Sequence, residues 1–211
     1  KSIWRERQIL QIDKPIDHTP ENLETLFENK IVNMRNVTEQ GIYKIQMGVG
    51  DALREYLKSQ DFVEFHSPKL LAEATEGGAE VFELEYFGKK ATLAQSAQFY
   101  KQIMVGAFER AVEFGATYRA EPSMTTRHMS EFITVDAEMG FISGLSDVTD
   151  VLSGAINHVV SDVWKKYETE LIALKAEKPV LTAKFPEITM AKLHELYFKE
   201  TGEDTRNEKD A

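Results

Sequence analysis

The chain predicts an α+β fold built on a mainly antiparallel sheet, and three observations predict it. Apolar, strand-like runs at residues 111–118 and 132–142 flank one short polar loop, which is the layout of a hairpin. Segments with apolar residues at helical spacing are interspersed with strands, without the regular alternation of βαβ units. The 211 residues, 42% hydrophobic and 28% charged, suffice for one domain with its own core.

Taken in order, residues 1–25 carry Pro15 and Pro20 and read as a linker, with room for a short strand at 9–12. Leu23 to Phe27, then Ile31 and Val32, suggest a short helix and turn. Ile45, Val49, Leu53 and Leu57 recur at helical spacing and predict an amphipathic helix over 42–58. Phe62-Val63-Glu64-Phe65 reads as a strand that stops at Pro68. Residues 81–86 and 91–94 look like a hairpin around Gly88-Lys89. Ser96 is a candidate N-cap for a helix reaching Phe108. The long hairpin follows. Ser146 is a second candidate cap, with Asp147 and Asp150 in the first turn of its helix favouring the dipole. Val148, Leu152, Ile156, Val159, Val160, Val163, Tyr167 and Leu171 supply that helix with an apolar face. A loop rich in Lys and Pro spans 175–186, Thr189 caps a last helix through Phe198, and the polar stretch 201–211 reads as a disordered tail.

Composition excludes several classes. No cysteine is present, so there is no disulfide framework and no thiolate zinc site, which fits a reducing compartment. No apolar run approaches the roughly 20 residues of a membrane span, and the first residues lack the apolar stretch of a signal peptide. The formal net charge is −10, with only short basic pairs such as Lys89-Lys90 and Lys165-Lys166. Composition alone does not suggest a nucleic-acid partner.

The chemistry concentrates in the hairpin loop. Tyr118-Arg119-Ala120-Glu121 and Thr125-Thr126-Arg127-His128-Met129-Ser130-Glu131-Phe132 gather two arginines, a histidine and two glutamates. Cations held in fixed positions over a sheet are what a triphosphate needs. Thr75-Glu76-Gly77-Gly78-Ala79-Glu80 places paired glycines after an acid, in a loop that lets backbone approach a ligand closely. In Gln95-Ser96-Ala97-Gln98-Phe99-Tyr100-Lys101-Gln102, a helix starting at Ser96 puts Gln98 and Lys101 on one face.

These motifs, in this order, resemble the catalytic domain of class II aminoacyl-tRNA synthetases, and in detail that of aspartyl-tRNA synthetases of the archaeal and eukaryotic type. The resemblance runs from about Leu26 to Ile142. It implies the class II synthetase-like antiparallel sheet flanked by helices. It implies residues 1–25 as a hinge after an anticodon-binding domain that is not in this chain, and 26–211 as a partial catalytic domain. The helix at 42–58, the strand at 62–65 and Pro68 resemble motif 1, through which the family forms homodimers. The implied activity is aspartate–tRNA ligation in the cytoplasm: L-aspartate attacks the α-phosphate of ATP, with Mg²⁺, and the aspartyl group passes from its adenylate to tRNA.

The resemblance also assigns residues. Arg119 bridges the α-phosphate and the substrate α-carboxylate and is the catalytic residue. Glu121 lies near the adenine, Arg127 and His128 hold the outer phosphates, and Phe132 stacks on adenine. Glu76 meets the substrate ammonium, Gln98 serves its polar groups, and Lys101 pairs with the side-chain carboxylate. Asp136 and Glu138 continue the second strand as floor residues or as supports for the arginines. Lys101 argues against the asparaginyl enzyme, which carries an acid there, and against the lysyl enzyme. Ala97 stands where the aspartyl pattern has proline, and Pro122-Ser123-Met124 departs from the usual loop.

No Gly-x-Gly-x-x-Arg of motif 3, and no acidic Mg²⁺ ligand before it, follows Ile142. The resemblance therefore implies no metal ligand in this chain and an isolated chain with little or no activity. Two alternatives stay open: an asparaginyl-tRNA synthetase or synthetase-like asparagine-forming ligase, and a non-catalytic paralogue acting as a binding module. Whether the parent charges one tRNA or two is not legible here.

Overall fold

The computed structural model describes residues 26, 28–75, 81–121, 128–183 and 185–205, so the expected linker and the last six residues lie outside it. The chain divides into two units, Lys1–Val63 with His158–Pro179, and Glu64–Asn157 with Val180–Ala211.

The first unit is helical. After a short α1 (Lys30–Asn33), α2 runs Val37–Ser59, five residues earlier than the apolar spacing predicts. The reason is a cap: the Asn36 side chain accepts the Thr38 N–H at 3.0 Å, and Glu39 sits in the first turn. Its most buried positions are Gly41, Gly48, Ala52 and Leu57, while Ile45, Val49 and Leu53 are half-buried. Small residues lie deepest because another segment comes very close. The helix expected to run to Leu171 breaks at Tyr167, giving α4 (Leu145–Lys166) and α5 (Glu168–Ala173). At the break the Tyr167 ring lies on Gly48, where a Cβ would come within 2.2 Å of it. Lys44 Nζ reaches Glu170 Oε1 at 2.8 Å one turn away.

The second unit holds two three-stranded sheets, ordered β1-β5-β6 and β2-β4-β3. Here β1 is Val63–Glu64, β2 Leu70–Leu71, β3 Glu83–Tyr86, β4 Lys89–Leu93, β5 Arg110–Tyr118 and β6 Glu131–Met139. The strand expected at 62–65 is therefore only two residues long, although the Phe65 N–H still donates to Val112 O at 3.0 Å. The β3–β4 hairpin turns through Phe87 and Gly88, both at positive φ, as a two-residue turn between right-twisted strands requires. β5 and β6 pair antiparallel from Arg110↔Met139 to Tyr118↔Glu131, so β6 stops short of the expected Ile142.

Two expected caps change hands. α3 is Gln98–Phe108, so Ser96 lies one residue before the cap position, yet its hydroxyl accepts the Gln98 N–H at 3.2 Å. Asp147, not Ser146, serves the start of α4, its Oδ2 accepting from the N–H groups of Ser143 and Gly144. Thr189 caps α6 (Met190–Thr201) as expected, accepting the Lys192 N–H at 3.3 Å. Among the described residues no helix is long and apolar enough to cross a membrane.

Glu113 in β5 is 2% exposed. It accepts from the N–H and hydroxyl of Ser67 and pairs with Lys69 Nζ at 2.7 Å, tying the chain before β2 to the middle of β5. Burial pushes its carboxyl up, but the hydrogen bonds from Lys69 and Ser67 and the Lys69 charge outweigh burial and hold it below the usual range.

Two tests follow from this packing. Gly48→Ala should destabilise the fold in urea unfolding by about 1–3 kcal/mol, because overpacking against Tyr167 exceeds the ~1 kcal/mol alanine gains in a helix; a more stable variant would show the contact to be soft. For Glu113 the folded pKa is depressed, so its stabilisation is full above the unfolded value of about 4.3 and is lost as pH falls through the folded value. The stability difference between wild type and Glu113→Gln should narrow on acidification below about pH 4, and a constant difference would refute the assignment.

Candidate functional site

Backbone hydrogen bonds bring the predicted motifs together. The Ala94 N–H donates to Lys69 O at 2.9 Å, and Ala94 O accepts the Tyr118 N–H at 3.0 Å. The end of β4 is thereby pinned beside the end of β5. Gln95, Ser96 and Ala97 follow, all buried, and lead into α3, which packs on β5 and β6. Gln98 and Lys101 thus start a helix that lies on the same sheet the hairpin builds.

The ladder register decides which side chains share that face. Directly paired residues point the same way, so Ala111, Glu113, Gly115 and Thr117 of β5 join Glu138, Asp136, Thr134 and Phe132 of β6. β5 ends at Tyr118, so Arg119 and Glu121 lie beyond the strand. The Arg119 N–H still donates to Ser130 O at 3.0 Å, one step beyond the ladder. Its guanidinium lies over the Phe132 ring, 5.7 Å from the centroid, and its Nε is buried without a hydrogen-bond partner among the described residues. A cation held by a ring, with a donor left over in a dry place, is suited to an anion. Phe132 is half-buried and already carries the arginine on its face.

Glu121 and His128 face each other across the loop, Oε2 to Nε2 at 3.4 Å. Arg127 lies outside the described residues, as does Glu76 with its glycine loop.

Lys101 is a second half-buried cation, its side chain 13% exposed. Its ammonium is held by Asp136 Oδ1 at 2.8 Å and Glu138 Oε2 at 3.3 Å. The two acids of β6 therefore serve the lysine and not, among the described residues, an arginine. Burial works to lower the Lys101 pKa, but the hydrogen bond and charge of Asp136, then those of Glu138, outweigh it and raise the pKa above its ordinary value. Lys101 is thus firmly charged at neutral pH.

Sequence reading missed Ser67, Lys69 and Glu113. The signal was an acid inside the apolar run 111–118, at the same strand parity as Arg119. Only the close approach of Lys69 gives that acid a meaning. Among the described residues no group of three or more His, Asp or Glu side chains is arranged to hold a metal ion.

The arrangement has known counterparts. A family described as tRNA synthetases class II (D, K and N) matches residues 22–210. The chain is 43% identical, over 179 residues, to an aspartate–tRNA(Asp/Asn) ligase of Methanopyrus kandleri, covering 83% of this chain and 42% of the relative. It is 39% identical, over 195 residues, to the aspartate–tRNA(Asp) ligase of Pyrococcus horikoshii, covering 92% and 44%. Among solved structures, the asparaginyl-tRNA synthetase of Pyrococcus horikoshii complexed with asparaginyl-adenylate superposes with a TM-score of 0.82 at 27% identity, covering 92% of this chain and 46% of that one. The chain spans less than half the length of the relatives it matches. The antiparallel hairpin with its arginine, the helix laid across it and a match over nearly the whole chain lead to one conclusion: this chain belongs to the class II tRNA synthetases of the D, K and N group.

Proposed function

We propose that the chain carries the amino-acid-activating half-site of an aspartate–tRNA ligase. The observation that carries this reading is a half-buried, charged Lys101 on the sheet face that also carries Phe132 and, over its ring, Arg119. A side-chain carboxylate gains a counter-ion there, and a neutral amide gains less. In this reading Arg119 spans the α-phosphate of ATP and the substrate α-carboxylate. It draws two anions together and stabilises the charge that builds on phosphorus. Phe132 backs the arginine on one side and takes the adenine on its other. His128, with Arg127, faces the outer phosphates and Glu121 the adenine end. Gln98 and Glu76 serve the polar groups of the amino acid. Mg²⁺ would enter with the phosphates of ATP and neutralise part of their charge.

Asp136 and Glu138 give Lys101 a second meaning. A substrate carboxylate need not displace them, because an ammonium has three donors and two are spoken for. The activated aspartyl group would pass to tRNA, and the reaction would take place in the cytoplasm. The high similarity to a solved asparaginyl enzyme keeps the asparaginyl reading as the competing outcome.

A homodimer through α2 and the segment to Pro68 belongs to the same proposal. Ile42, Tyr43 and Met47 of α2 are each about half exposed, an apolar surface on a helix whose other side is already packed.

Calorimetric titration of the chain with non-hydrolysable aspartyl- and asparaginyl-adenylate analogues tests the substrate. The aspartyl analogue should bind at least about tenfold tighter, and Lys101→Met should remove the difference. A preference for the asparaginyl analogue would overturn the reading. Arg119→Lys should weaken both analogues together by about tenfold or more, since an ammonium loses the planar fork; selective loss of one would contradict its assignment. In sedimentation equilibrium, Met47→Glu with Tyr43→Asp should convert a dimer to a monomer, whereas a wild-type monomer would remove the dimer from the proposal.

A further inference from the structure

We propose that Lys69 is a positioning residue for substrate selection: by neutralising Glu113 it leaves Lys101 to Asp136 and Glu138, and so open to an anionic amino-acid side chain. The proposal rests on the reading of Lys101 given above.

Glu113 and Asp136 are direct cross-strand partners. Side chains so paired share a face, with Cβ atoms about 4.5–5.5 Å apart. Two carboxylates that share a face repel each other, and more strongly where water is partly excluded. Each has its own lysine from a different element. Lys69, from the segment before β2, reaches Glu113 at 2.7 Å, and Lys101, from α3, reaches Asp136 at 2.8 Å. With Glu138 from β6, three carboxylates face two ammonium groups here.

The Glu113 side of this arrangement is closed. Ser67 supplies both its N–H and its hydroxyl, and the carboxylate is out of water. Gly115, the next residue of β5 on that face, leaves the space the ion pair occupies. A Cβ there would lie 3.1 Å from both Glu113 Cδ and Lys69 Nζ. With Lys69 removed, three carboxylates share one ammonium. Lys101 is then drawn towards Glu113, or Asp136 takes up a proton, and an incoming carboxylate meets excess negative charge.

A purely structural role for the pair, pinning residues 67–69 to β5, makes a different forecast, and charge compensation separates the two. The Asp136 carboxyl is followed by ¹³C NMR titration of the whole chain, and the two adenylate analogues by calorimetry. In Lys69→Met the Asp136 carboxyl should protonate more readily than in wild type and the preference for the aspartyl analogue should fall about tenfold. In Glu113→Gln the Asp136 pKa should move down instead. Lys69→Arg should keep both readouts near wild type. The double variant Lys69→Met with Glu113→Gln removes both charges, and both readouts should return towards wild type although the ion pair is gone. If the double variant is no better than Lys69→Met, or Asp136 titrates unchanged in both single variants, the proposal is overturned. Should Lys69→Met fail to fold, Glu113→Gln carries the same test with opposite sign. If Asp136 shifts as stated while wild type shows no aspartyl preference, the coupling stands and it is the aspartate reading that falls.

Discussion

Nine residues of β5 pair with nine of β6, and this register decides which side chains can meet. A slip of β6 by one residue would turn Asp136 and Glu138 to the opposite face, away from Glu113, and bring Ile133 and Val135 to the face under α3. As built, that face is polar, largely buried on β5 and half-buried on β6, while Ile133 and Val135 on the other side are exposed. That distribution is the reverse of an ordinary half-buried sheet, in which the apolar residues lie under the helix. A polar face under a helix is costly unless every group is matched, and here the matching charges come from outside the hairpin.

Two lysines do the matching. Lys69 arrives from the segment that precedes β2, and Lys101 from the first turns of α3. Both are delivered by one backbone device, the Ala94 peptide. It accepts from Tyr118, donates to Lys69, and so joins the ends of the two sheets. The cation over Phe132 is added at the open end of the ladder, where Arg119 takes one more step beyond the strand. Fixed, half-buried cations held over one sheet are the physical content of the site. It suits a reaction in which two anions must approach each other.

The helical unit obeys a different constraint. α2 carries a strong apolar period, yet its closest packing is made by glycine and alanine, because Tyr167 comes down on Gly48. The apolar residues left outside, Ile42, Tyr43 and Met47, are the surface on which the proposed dimer depends. One helix thus shows both why periodicity finds a helix and why it misjudges which face is deepest.

Sequence alone determined the existence and type of nearly every described element, because apolar period, turn glycines and caps act over a few residues. Thr189 capped its helix where expected, and the expected hairpin formed, although it turned at Phe87-Gly88, one residue before the expected Gly88-Lys89. It also determined the family, since motif order along the chain is itself a sequence property. Boundaries were less legible: Asn36 and Asp147 took cap roles that apolar spacing does not reveal. Only the tertiary structure decided who neutralises whom. Lys101 and Asp136 are 35 residues apart, and Ser67 and Glu113 are 46 apart. Long-range charge pairs depend on register and on how α3 lies across the sheet, and neither leaves a local signature. For the same reason Arg119 was recognised as a cation of interest from its motif, while its seat on Phe132 and its buried Nε, without a partner among the described residues, became visible only in three dimensions.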